Sequence, residues 1–167
     1  MGCGKSSVGR RLSGLLCCRF ADLDDAIAER AGRSIPEIFA AEGEPHFRDL
    51  ERDTLADIIR SHSSDDLSSR LILALGGGAV MTQACERMVH EETLCIYLKA
   101  SVATLISHLE GQAAGRPLLN SQASLSERIL KLMSLRAETY ERTAHHIIDT
   151  DGKSIDDIAA EIISLIR

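Results

Sequence analysis

Met1-Gly2-Cys3-Gly4-Lys5-Ser6-Ser7-Val8-Gly9-Arg10 opens the chain, and the reading of this stretch decides the fold. Gly4-Lys5-Ser6 matches the second half of a phosphate-binding loop, G-x-x-x-x-G-K-[ST]. Glycines let backbone N–H groups curl around phosphate oxygens, which a Cβ would obstruct. Lys5 offers a point charge to β- and γ-phosphates, and the Ser6 hydroxyl can ligate Mg²⁺. A helix starting there aims its positive end at the same anion. Gly2, Cys3, Gly4, Lys5, Ser6 and Ser7 are therefore the candidate cofactor cradle. A Gly-rich tail would read the same in isolation, so the remainder of the chain has to decide.

Outward from that loop, Val8, Leu12, Leu15 and Leu16 form the apolar stripe of a helix over 5–16. A short strand, Arg19-Phe20-Ala21, runs into Asp22-Leu23-Asp24-Asp25, followed by a helix that stops at Gly32. Ser34 with Glu37 makes a capping box for a short helix ending at Gly43, and Pro45 suits the first turn of a longer one reaching His62. Residues 61–69 read as a polar loop. Arg70–Leu75 is an unbroken apolar run that empties into Gly76-Gly77-Gly78, the mark of a parallel strand buried on both faces. Thr82 caps a helix to about His90, Leu94–Leu98 is a second buried strand, and Ser101 starts a helix ending near Glu110. Residues 111–124 lack periodicity. Ser124 and Glu127 box the start of a helix to Arg142, Ile147–Asp149 is the last strand, and Ser154 caps a C-terminal amphipathic helix. Strands alternating with helices predict a three-layer α/β/α sandwich on a parallel sheet, of the phosphate-loop NTPase type, in one domain spanning 1–167.

The composition narrows function. The 167 residues are 44% hydrophobic, enough for one α/β core. A net charge of −6 without a basic run argues against nucleic acid, as does an aromatic content of 3% without Trp. No apolar run approaches the roughly 20 residues of a membrane span, and no signal peptide is evident. Five cysteines, Cys3, Cys17, Cys18, Cys85 and Cys95, lack C-x-x-C spacing and suit a reducing cytoplasm without zinc or disulfides. The six histidines do not cluster in sequence.

Ligands of open α/β sheets bind at the carboxyl ends of strands. Four features fall there: the phosphate loop, Asp22 with Asp24, the triple glycine, and 111–124 with Gly115-Arg116-Pro117. Residues i and i+2 of an extended segment project to one side, so Asp22 and Asp24 can share a pocket, one organising Mg²⁺ water and the other a substrate hydroxyl. Helix capping by Asp24 or Asp25 is the competing reading. The glycines suit close backbone approach to a ligand, against a plain turn. Arg48 and Arg136 carry guanidinium groups fit for a carboxylate, but a solvated surface position fits each equally well.

On these residues the chain resembles the shikimate kinases over nearly its whole length. The resemblance rests on Gly4–Gly9, Asp22-Leu23-Asp24, Ser34–Phe39, Glu42-Gly43-Glu44, Phe47–Glu51, Leu75–Val80, Gly115–Leu119, and Arg136 with Tyr140. It implies phosphoryl transfer from ATP to the 3-hydroxyl of shikimate in aromatic amino-acid biosynthesis. Lys5 and Ser6 would then serve phosphates and Mg²⁺, and Asp22 a metal-bound water. Asp24 would bind the ring hydroxyls, and Arg48 with Arg136 would clamp the carboxylate. The backbone at Gly76, Gly77 and Gly78 would line the pocket, within a substrate-binding helical region at about 24–62. Arg116 would act from a mobile lid at about 111–124. Thr150-Asp151-Gly152-Lys153 would lie at the adenine site, with Lys153 as a cofactor contact. A cytoplasmic monomer without membrane or nucleic-acid partners is expected.

The alternatives are a gluconate-kinase-like enzyme, and a nucleotide- or shikimate-binding protein without turnover. The second arises because the motif's first glycine would precede Met1 by two residues, together with the strand that feeds the loop. In the resembled fold that strand lies between those at Arg70–Leu75 and Leu94–Leu98. Its loss, at roughly 1.5–3 kcal/mol per buried side chain, would cost about 5–12 kcal/mol. The expectation is a fragment or a start placed too late, with weak ATP binding.

Overall fold

The structure is a computed structural model that describes residues 2–62, 70–113 and 125–166. Expectations for the polar loop at 63–69, for Ser124, and for Arg116 with most of the segment around it lie outside the described residues.

Gly4 ends the phosphate loop and α1 (Lys5–Leu16) begins at once, leaving through Cys17 in a left-handed cap. β1 (Arg19–Asp22) follows, and then α2 (Leu23–Ala31), which closes on Gly32 at φ 63°. α3 spans Ile35–Ser61 and is broken by non-helical backbone at Gly43 (φ 80°, ψ 178°), just before Pro45. The two expected helices are thus met as two helical stretches that part at Gly43, the second entered through Pro45. Glycine tolerates that φ and proline cannot continue the hydrogen-bond ladder, which puts the bend there. β2 (Leu71–Ala74), α4 (Gln83–Glu92), β3 (Ile96–Lys99) and α5 (Val102–Ala113) come next. α6 (Leu125–Thr143), β4 (His146–Asp149) and α7 (Ile155–Leu165) complete the chain order. α5 continues to Ala113, past the end read from periodicity at Glu110.

Among the described residues both strand pairings are parallel. β1 pairs with β2, Arg19 opposite Leu71 and Asp22 opposite Ala74. β3 pairs with β4, Ile96 opposite His146 and Lys99 opposite Asp149. Among the described residues these are two separate two-stranded sheets. The expectation of strands buried on both faces is corrected accordingly. Leu71, Ile72 and Leu73 are only partly buried, and Leu94 is 54% exposed. A strand with a single partner leaves its other edge uncovered, which lets solvent reach the side chains along it.

Among the described residues three apolar clusters hold the elements. Leu23 and Ile27 of α2 pack with Ile38, Phe47 and Leu55 of α3 and with Val89 of α4. Val8 and Leu12 of α1 pack with Leu98, Ile148, Ile158 and Ile162, joining α1 to α7 and the second sheet. Ala100, Leu105 and Ile129 join α5 to α6. Each such side chain contributes about 1.5–3 kcal/mol by leaving water. Gly9 sets the approach of α1 to β1, because a Cβ there would stand 2.5 Å from the Phe20 ring. That closeness carries the start of α1 up to the end of β1, where the site forms.

Candidate functional site

Both loop glycines need the left-handed region, Gly2 at φ 73° and Gly4 at φ 79°. A side chain at either position would strain the backbone. Gly4 hands over to α1 by accepting the Val8 N–H at 2.9 Å, so Lys5 and Ser6 occupy the first turn at the positive helix end. No acidic residue in that turn competes for the anion position. From α5, His108 donates through Nδ1 to the Gly2 carbonyl at 2.7 Å and ties the loop to that helix.

Ser6 Oγ donates to Asp22 Oδ2 at 2.7 Å, and Asp22 Oδ1 accepts the Asp24 N–H at 3.1 Å. The extended reading of Asp22-Leu23-Asp24 is thereby corrected. The strand ends at Asp22, which caps α2, and the helix is already running at Leu23. The cap is neither Asp24 nor Asp25. One carboxylate serves two purposes, because its two oxygens point at different partners. Among the described residues no group of three or more His, Cys, Asp and Glu could hold a metal. A hydroxyl beside one carboxylate nonetheless fits Mg²⁺, which prefers hard oxygens and completes its shell with water and substrate phosphates.

Asp24 lies half-buried at the start of α2, against the glycine turn. A Cβ on Gly76 would stand 2.6 Å from Asp24 Oδ1, and one on Gly78 would stand 2.5 Å from Arg48 Nη1. The turn is closed by Ala79 N–H to Gly76 O at 3.1 Å and Met81 N–H to Gly78 O at 3.0 Å. Neither Gly76 nor Gly78 has a positive φ. Their requirement is space, so that a carboxylate and a guanidinium can lie on bare backbone two residues apart. Burial, and next the Asp22 carboxylate, push the Asp24 carboxyl up, while Lys5 and Arg48 pull it down. A raised carboxyl is a better proton acceptor at the cost of ionising later.

Arg48 is held on both sides along α3. Its Nη1 donates to Glu51 Oε2 at 2.7 Å, and its Nη2 to Glu44 Oε1 at 3.0 Å. The Glu51 side chain is 3% exposed and that of Glu44 is 64% exposed, so the first is a fixed buttress and the second a movable partner. Sequence reasoning assigned neither a role. The i−4 and i+3 spacing around Arg48 was the available signal. From α6, Arg136 Nη1 donates to the Gly77 carbonyl at 3.1 Å. The structure thus brings Asp24, Arg48, Arg136 and the three glycines together, beside Lys5, Ser6 and Asp22.

Lys153, expected at the adenine site, pairs its ammonium with Glu161 of α7 at 2.6 Å. Asp151 instead caps the neighbouring α5 by accepting the Ser101 N–H at 3.0 Å. Arg116 is outside the described residues. His90 and His145, far apart in sequence, stack at 4.7 Å. Each is occupied through Nδ1, His90 with the Thr143 carbonyl and His145 with the Cys95 N–H. A cavity of about 100 Å³ opens beside Lys5 and Gly77, lined largely by Leu75, Ile96, Leu98 and Leu105. It lies against β3 and just past the end of β2. Its walls are too apolar to satisfy phosphates or a polyol, so the chemistry belongs to the charged group next to it.

A family model described as "Shikimate kinase" matches residues 1–167. A shikimate kinase of Geobacter sulfurreducens is 41% identical over 167 residues, covering 100% of this chain and 87% of the relative. One from Salinibacter ruber is 38% identical over 173 residues, covering 99% and 80%. Among solved structures, a shikimate kinase from Acinetobacter baumannii in complex with shikimate superimposes with a TM-score of 0.84 at 32% identity, covering 99% of this chain and 88% of that one.

Proposed function

The chain belongs to the shikimate kinase family, and we propose that it transfers the γ-phosphoryl group of ATP to the 3-hydroxyl of shikimate. The observation that carries this reading is the placement of Asp24 and Arg48 on the bare backbone of Gly76 and Gly78, beside the Ser6–Asp22 pair. One end of the site suits a carboxylate, its middle suits a hydroxyl, and its far side suits phosphates. The solved relative with shikimate bound supports the same substrate.

In the proposed reaction Arg48 and Arg136 hold the shikimate carboxylate and fix the ring. Asp24 accepts a hydrogen bond from the attacking hydroxyl and takes its proton as the new P–O bond forms and the bond to ADP breaks. Lys5 and the N-terminus of α1 offset charge on the β- and γ-phosphates. Ser6 and Asp22 would hold Mg²⁺, which neutralises phosphate charge when bound. Arg116 is proposed, from its motif, to act on the same charge. The substrate-binding region is the α2–α3 segment, about 24–62. A cytoplasmic monomer completes the proposal. Among the described residues no helix is long and apolar enough to cross a membrane.

The test is a coupled assay of ADP release with Mg-ATP, run with shikimate, with gluconate, and with neither. Turnover that depends on shikimate alone is expected. Turnover on gluconate, or none with shikimate, would sink the reading.

A further inference from the structure

Arg136 and Tyr140 stand one turn apart on α6, and both donate to one acceptor, the Gly77 carbonyl. The Tyr140 Oη bond measures 2.5 Å and the Arg136 Nη1 bond 3.1 Å. Three consecutive glycines carry no side chains that could anchor their own turn, and glycine has the most backbone freedom to lose. The carbonyls of Gly76 and Gly78 are engaged within the turn, by Ala79 and Met81. That of Gly77 is held from outside, by α6. Tyr140 is itself fixed, because its half-buried ring packs on Tyr97 of β3 with centroids 5.3 Å apart.

We infer that Tyr140 is a positioning residue for the acceptor substrate: its hydroxyl pins Gly77 and thereby sets where Asp24 and Arg48 lie on Gly76 and Gly78. The inference rests on the shikimate reading of this site and deepens it. Arg136 cannot give the same Nη1 hydrogen to Gly77 and to a carboxylate at once. Where Arg136 gives that hydrogen to substrate, Tyr140 is left holding the carbonyl. A loosened turn would blur the spacing between the carboxylate clamp and the hydroxyl acceptor, while the phosphate loop, built on α1, would be untouched. The signature is therefore one-sided.

Tyr140→Phe removes one oxygen and keeps the ring on Tyr97. The expected result is a KM for shikimate about five- to tenfold higher, with the KM for ATP within twofold of the parent and kcat less affected than KM. The melting temperature should stay close to the parent value. Calorimetric titration of shikimate without nucleotide decides the case where turnover is lost, and a weakened Kd is then expected. A shikimate KM or Kd within twofold of the parent, or equal rises for both substrates, overturns the inference. Failure of the unsubstituted protein to use shikimate would instead remove the underlying reading, so the two failures are distinct.

Discussion

Arg48 lies on Gly78 so closely that a methyl group at residue 78 would stand 2.5 Å from Nη1. The glycine there makes room for the Arg48 guanidinium. Gly78→Ala should therefore leave the fold intact, since its φ is not positive, while displacing Arg48. We expect the KM for shikimate to rise tenfold or more with little change in that for ATP. Steady-state kinetics with each substrate varied in turn checks it. Equal effects on both substrates would contradict the placement of Arg48 at the acceptor side.

Glu44 occupies Arg48 from the solvent side, where an incoming carboxylate would compete with it. Exposed ion pairs of this kind contribute only about 0–1 kcal/mol, so their loss is cheap. Glu44→Gln should lower the shikimate KM by a factor of about two to five. Glu51→Gln should do the opposite, because Glu51 is buried and holds Arg48 in place. A rise in KM for the first variant would show that Glu44 supports binding.

In the proposed reaction Asp24 would link pH to both turnover and stability. Its folded-state carboxyl is raised, burial first and Asp22 next. Between the ordinary carboxylate value and that raised value, the folded chain holds more protons than the unfolded one. Stability from this group therefore falls as pH rises through the window, and ionised Asp24 is a net cost at neutral pH. Asp24→Asn should melt higher than the parent at pH 7 and lose that advantage toward acid pH, where the carboxyl is protonated in both states. It should also abolish turnover, and kcat/KM of the parent should fall as acid protonates Asp24. Melting curves at several pH values would refute the linkage if the two proteins kept a constant difference.

Lys5 and Asp22 test the proposed phosphate side. Lys5→Ala should lower kcat by about 10²-fold or more while shikimate alone still binds, since the lost charge acts on the transferred group. Asp22→Asn should raise the Mg²⁺ concentration needed for half-maximal rate while keeping the start of α2 capped, since an amide oxygen still accepts the Asp24 N–H. Unchanged metal dependence would remove Asp22 from the metal's surroundings.

Much of this molecule is legible in the residues alone. Apolar spacing places α1 at Lys5–Leu16, and capping chemistry places the start of α7 after Ser154, because both signals are local. The candidate site residues could be named for the same reason: phosphate, hydroxyl and carboxylate each demand a particular functional group. Tertiary structure decided which groups meet. Ser6 and Asp22 are sixteen residues apart and Arg136 lies fifty-nine from Gly77, separations over which no pattern reports contact. It also decided what the glycines are for. Sequence suggested backbone approaching a ligand, whereas Gly76 and Gly78 give up their Cβ atoms to Asp24 and Arg48. Periodicity reports which face of an element turns inward. Only packing determines what waits there, because burial, charge and shared acceptors such as the Gly77 carbonyl are properties of several elements at once.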